Sequence, residues 1–109
     1  MIVDDRIIIK FKELIVSQKF YEAHELLEVY WFANRHDKSC EVRVIKGFIN
    51  AAVSFELFQR GKVSQSDKVW QNYLRLVVLE DLIYHPNIDE LKGVKTFLDD
   101  YNVELKNPL

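Results

Sequence analysis

Scarcity is the first thing to read in this 109-residue chain: one cysteine, one methionine, two prolines and three glycines. The lone thiol, Cys40, forms no internal disulfide, and without a CxxC or a Cys/His series it offers no structural zinc site. So few prolines and glycines leave no linker and no low-complexity tract. Positive charge is not in excess, with 15 Lys and Arg against 17 Asp and Glu and a net charge of -2. With no basic stripe, nucleic acid is excluded as a partner. No apolar run reaches the length of a membrane span, and the opening MIVDDRIIIKF puts acids where a signal peptide needs a basic region, so no membrane association and a cytoplasmic location are expected. What is abundant is apolar: 49% of the residues, with 13% aromatic, which suits a packed core. The length suits one domain spanning 1–109.

Helical periodicity organises that apolar content. Phe20, Ala23, Leu27 and Tyr30 or Trp31 fall at i, i+3, i+7 and i+10 or i+11, one stripe of a helix running to about Asn34. Before it, Asp4 or Asp5 suits an N-cap, and Ile7, Phe11, Leu14 and Ile15 carry a first helix to about Ser17. Arg35 to Ser39 reads as a polar loop. A third helix is expected from about Glu41 to Arg60, stopped by Gly61, with Val44, Ile45, Phe48, Ala52 and Phe55 turned inward. On it Gly47, Ala51 and Ser54 form a row of small side chains. Glycine inside a helix costs about 1 kcal/mol relative to alanine, so Gly47 predicts close contact with another backbone, that of the second helix. Ser64 with Asp67 resembles a capping box for a fourth helix that takes Trp70, Tyr73, Leu74, Val77 and Val78 inward as far as Tyr84. Asn87 with Glu90 repeats that logic for a fifth, carrying Ile88, Leu91, Val94, Leu98 and Tyr101 and ending in a frayed tail, Lys106 to Leu109. The expected architecture is all-α: a compact array or bundle of about five helices joined by short connections, with residues 20–61 as its central unit.

Chemistry concentrates on the second helix. His24 and Glu28 are four residues apart and share a face, Glu25 lies beside them, and Trp31 follows on the same side, placed to exclude water. A neutral imidazole and a carboxylate at this spacing can share one divalent metal ion, which makes His24 and Glu28 the candidate ligands. The full HExxH signature is missing because position 28 is Glu. Tyr21, Asn50 and Glu56 are candidate supporting residues, although Asn50 and Glu56 point about 120° apart on one helix. The plainer reading is a half-buried His24–Glu28 pair that orients the helix. The aromatics Tyr21, Tyr30, Trp31 and Phe32 cannot all face one way, so part of this cluster is expected at the surface, where it would suit a partner or a second copy.

With FYEAHELLEVYW and IKGFINAAVSFELFQRGK in view, the chain resembles the small prokaryotic family catalogued as domain-of-unknown-function family 309. The resemblance rests on an aromatic pair, AHExxExxW, a glycine-led segment with alanines, and an arginine-glycine step. Those places are filled by Phe20, Tyr21, Ala23, His24, Glu25, Glu28, Trp31, Gly47, Phe48, Ile49, Ala51, Ala52, Arg60 and Gly61. It implies an all-helical fold and no established activity. Relatives often carry a histidine near position 56, where this chain has Glu56, and a Gly-Ala pair after the arginine-glycine, where it has Ser64 to Ser66. The functional expectation is an interaction module binding a protein partner or itself. The alternative is a metal- or small-ligand-binding protein, and beyond it a metal-dependent hydrolase with Glu25 as ligand or base and no nameable substrate.

Overall fold

The structure, a computed structural model, describes residues 4–37 and 39–108. Residues 1–3 of the acidic opening, Lys38 of the polar loop and Leu109 of the tail lie outside the described residues. Five α-helices follow one another: α1 (Asp5–Val16), α2 (Phe20–Ala33), α3 (Cys40–Gln59), α4 (Val63–Leu76) and α5 (Ile88–Lys106), with a short 3-10 helix, Leu79–Leu82, between the last two. No strand occurs among the described residues.

Local chemistry explains most of the boundaries. Asp4 caps α1, its Oδ1 accepting the Arg6 N–H at 2.8 Å. At the far end Gln18 N–H reaches Ile15 O at 2.9 Å and Lys19 N–H reaches Leu14 O at 2.8 Å, a Schellman closure that puts Gln18 at φ 59°. The same closure ends α3, where Gly61 at φ 79° donates to Phe58 O and Lys62 donates to Leu57 O. The expected stop at Gly61 is therefore what the chain uses.

The long α3 is the axis of the molecule, packed between α2 and α4 and touched by α5. Val44, Ile45, Phe48, Ala52 and Phe55 are all buried, as their spacing predicts, and join Phe11, Ile15, Phe20, Leu27, Leu91 and Leu98 in one core. An aromatic seam ties the elements together: Phe20 on α2 lies 5.7 Å from Phe55 on α3, Tyr101 on α5 lies 5.1 Å from Phe55, and Trp70 stacks on Tyr73 at 4.3 Å on α4. The Cα radius of gyration, 13.1 Å, is that of a compact chain of this length.

Four details depart from the sequence reading. The small row of α3 faces α4 and its exit rather than α2. A Cβ added at Gly47 would overlap Val77 Cγ2 and meet Leu76 Cβ at 3.2 Å, and Ser54 Oγ bonds Ser66 O at 2.8 Å. Periodicity specifies a face, not the neighbour that fills it. Next, α4 stops at Leu76 instead of Tyr84. Val77 turns out of the helix at ψ 81°, and the segment folds across the start of α3, burying Val77 and Leu82 and pairing Asp81 with Arg43. Two short apolar runs, VVL and LIY, split by Glu80 and Asp81, have no period that marks such an exit, and Leu74, expected inward, is exposed. Third, the Ser64 capping box does not form. The turn at Gly61 delivers the chain into helix already at Val63, so Ser64 sits inside α4. Last, Asn87 is the N-cap of α5 but makes no side-chain cap bond; its N–H donates to His85 Nδ1 at 3.0 Å.

Candidate functional site

On α2 two i, i+4 pairs lie side by side. His24 Nε2 stands 3.4 Å from Glu28 Oε2, and the Tyr21 hydroxyl donates to Glu25 Oε1 at 2.8 Å. The Tyr21 and His24 rings meet edge to face with centroids 5.9 Å apart, so the two pairs form one patch. His24 is half-buried, and its Nδ1 is enclosed without a hydrogen-bond partner among the described residues. The bond to Glu25 first, then the Glu25 charge, hold the Tyr21 phenol above its ordinary range, and Glu56 and Glu22 add to the effect. Glu56, on α3, is thus within electrostatic reach of the patch, while its carboxylate takes the Arg60 guanidinium at 2.8 Å.

The remaining sequence candidates engage α3. Asn50 Nδ2 donates to Lys46 O at 2.8 Å on its own helix, and the Lys46 ammonium lies 4.2 Å above the Trp31 ring. Structure therefore joins Tyr21, His24, Glu25 and Glu28, and leaves Asn50 and Trp31 in contact with Lys46. Among the described residues no group of three or more His, Cys, Asp and Glu is placed to hold a metal ion. His24 and Glu28 offer two donors and no third.

A second cluster was not legible beforehand. Where α3 begins, a hollow of about 420 Å³ opens between Ser39–Glu41 and the segment 81–86. Glu41 is almost fully buried there, its Oε2 3.7 Å from His85 Nε2. His85 Nδ1 accepts the Asn87 N–H, so its ring proton sits on Nε2, facing the carboxylate. Cys40, the half-buried first residue of α3, lines the same hollow. Nearby, burial pushes the Tyr30 phenol up to about 12, with the charges of Glu41 and Asp37 acting in the same direction. Glu41 and His85 are 44 positions apart, and no helical spacing in the sequence joins them.

A third polar group is structural. Ser54 and Ser66 are fully buried and exchange hydrogen bonds across the α3–α4 contact, and the Lys106 ammonium reaches Ser54 Oγ at 2.9 Å while lying 4.9 Å above the Trp70 ring. Burial lowers the Lys106 pKa. This network pins the end of α5 onto the α3–α4 pair.

Fold and patch together define a class: a small all-α domain with a long central helix and a half-buried His/Glu pair on the helix beside it. The family whose model matches is described as Domain of unknown function (DUF309), over residues 8–69, more than half of the chain. The chain belongs to that family. No curated protein matches it, and no solved structure does. The matched span takes in most of α1, all of α2 and α3 and the first half of α4; α5 lies beyond it.

Proposed function

We propose that the domain is an interaction module that pairs through the outward face of α2, and that its partner is a second copy of the chain. The observation behind this is the apolar stripe α2 leaves in solvent: Tyr21 is 51% exposed, Val29 73% and Phe32 56%, on the side opposite Phe20, Ala23 and Leu27. A helix apolar on both faces asks for a neighbour on each. Its charges are self-complementary. Laid antiparallel about a twofold axis beside Val29, two α2 helices bring Glu22 of one copy toward Arg35, just past the end of the helix, of the other, so one patch serves both subunits. Arg35 already stacks 3.8 Å over Phe32, a cation held on the apolar stripe. One helix face buries well below the ~800 Å² per partner of a standard interface, which puts the dimer in the weak, concentration-dependent class. A cytoplasmic location belongs to this reading; a lone thiol, Cys40, suits a reducing compartment.

Sedimentation across 10 µM to 1 mM tests it. The parent should shift from monomer toward dimer, and Val29→Asp, at an exposed position, should stay monomeric with an unchanged melting temperature. A parent monomeric throughout would sink the proposal.

One distance favours a second reading, weak capture of a divalent cation by the patch. Two donors bound at about 2.0–2.1 Å to one tetrahedral ion stand about 3.4 Å apart, and His24 Nε2 and Glu28 Oε2 have that separation. Elemental analysis of tag-free protein, with melting curves before and after adding Zn²⁺, decides it; His24→Ala must abolish any shift. Two donors supply no built metal-hydroxide centre, so hydrolysis is not part of this reading.

A further inference from the structure

α1 and α5 run side by side in the same direction without packing closely. Asp5 and Glu90 line one hollow, Lys12 Nζ lies 5.9 Å from the Phe97 ring centroid, and Val16 shares its surroundings with Tyr101 and Glu104, a constant offset along both helices. Between them lie three adjoining hollows of about 380, 350 and 430 Å³. From Asp5 to Val16 the groove is about 16 Å long at 1.5 Å per residue, three turns of helix.

Its walls are apolar in the middle and acidic at the ends. Val16 shares the middle hollow with Phe97, and Ile9 lines the neighbouring hollow beside Gly93; Ile9 and Val16 are both more than half exposed. Asp5, Asp89 and Glu90 stand at one end, and Asp100 and Glu104 at the other. Lys12 is the one basic residue among those lining it, in a chain whose net charge is only -2. The crowding is felt within the protein itself: a hydrogen bond from the Glu90 carboxyl to Asp5, then desolvation and the Asp5 charge, raise the Glu90 pKa. Gly93 forms part of the floor. A Cβ there would meet nothing within 4 Å, so packing inside this molecule does not require the glycine that Gly47's neighbours do require. A helix-weakening residue with open space above it leaves room for a close-approaching backbone.

We infer that the groove between α1 and α5 is a docking site for a basic amphipathic helix of another protein. Apolar side chains of the guest would sit on Ile9, Val16 and Phe97, its lysines and arginines would reach the carboxylates at either end, and its backbone would cross at Gly93. The acidic rims disfavour nucleic acid and anionic lipid. This surface is separate from the outward face of α2.

The probe is a fluorescein-labelled, N-acetylated 14-residue peptide with leucine at i, i+4, i+7 and i+11 and lysine or arginine elsewhere. Its anisotropy is measured against the full chain carrying Val29→Asp, so that self-association does not interfere. Saturable binding in the micromolar range is expected, weakened at least tenfold between 50 and 300 mM salt. Gly93→Leu should weaken it at least tenfold while raising the melting temperature by about 4 °C, because leucine is the better helix former; loss of binding by a more stable protein cannot be misfolding. Asp100→Lys with Glu104→Lys should have a similar effect on binding. Absence of binding at 1 mM protein overturns the inference, as does equal affinity for Gly93→Leu or for a peptide with glutamate in place of the basic residues.

Discussion

Two glycines in helix interiors answer differently to one substitution. At Gly47 the new methyl overlaps Val77 Cγ2, and Val77 is itself buried, so it cannot swing aside. Overpacking of about 1–3 kcal/mol exceeds the helix-propensity gain of about 1 kcal/mol, and Gly47→Ala should lower stability by about 1 kcal/mol. Gly93 has open space and only the propensity term, so Gly93→Ala should raise stability by about 0.8–1 kcal/mol. Urea titration of both variants checks the pair, and Val77→Ala should cancel the Gly47→Ala clash in the double variant. If Gly47→Ala were as stable as the parent, close α3–α4 contact at that point would be wrong.

Among the elements, the two Schellman turns make a matched comparison. Gly61 adopts φ 79° freely, whereas Gln18 holds φ 59° with a side chain, at a cost of about 1 kcal/mol. Gln18→Gly should therefore stabilise the protein by roughly that amount, less the loss of a weak 3.3 Å bond from Gln59 Nε2, and a thermal melt higher by about 4 °C would show it. The stop at Gly61 was legible in the sequence because glycine announces a left-handed residue; the stop at Gln18 was legible only as a polar turn. Inward faces of α1, α2, α3 and α5 were equally readable, since each carries an apolar repeat near 3.6. The end of α4 was not. Val77 leaves the helix because burying it against Gly47, and Leu82 behind it, wins over continuing a turn, and that competition is tertiary. The candidate site divides along the same line. His24, Glu28, Tyr21 and Glu25 meet because i, i+4 spacing suffices, while Glu41 with His85 depends on that exit from α4 and could not be paired in advance.

For the molecule as a whole, the tyrosines set an alkaline limit. Tyr73 is buried, and desolvation, followed by the bond from its hydroxyl to Asp99 Oδ1 at 2.8 Å, carries its phenol far above the ordinary value. Tyr30 is pushed up to about 12, and burial raises Tyr101 as well. A folded-state pKa above the unfolded one contributes stability that is complete below the unfolded value, near 10, and is lost as pH rises toward the folded value. Lys106, lowered by burial, acts with the opposite sign up to the ordinary lysine range, but it is one group against three. Net stability should therefore fall above pH 10, and Tyr73 alone accounts for about 1.4 kcal/mol per pH unit once the unfolded chain ionises and the native one does not. Tyr73→Phe separates this from general alkaline damage. At pH 7 it should cost about 1–2 kcal/mol, since Asp99 keeps only the Lys95 ammonium at 2.7 Å, yet the deficit should shrink between pH 10 and 11.5 as the parent loses what phenylalanine never had. Urea unfolding curves for both proteins across that range give the answer; parallel stability profiles would mean that Tyr73 ionises in the fold as readily as outside it.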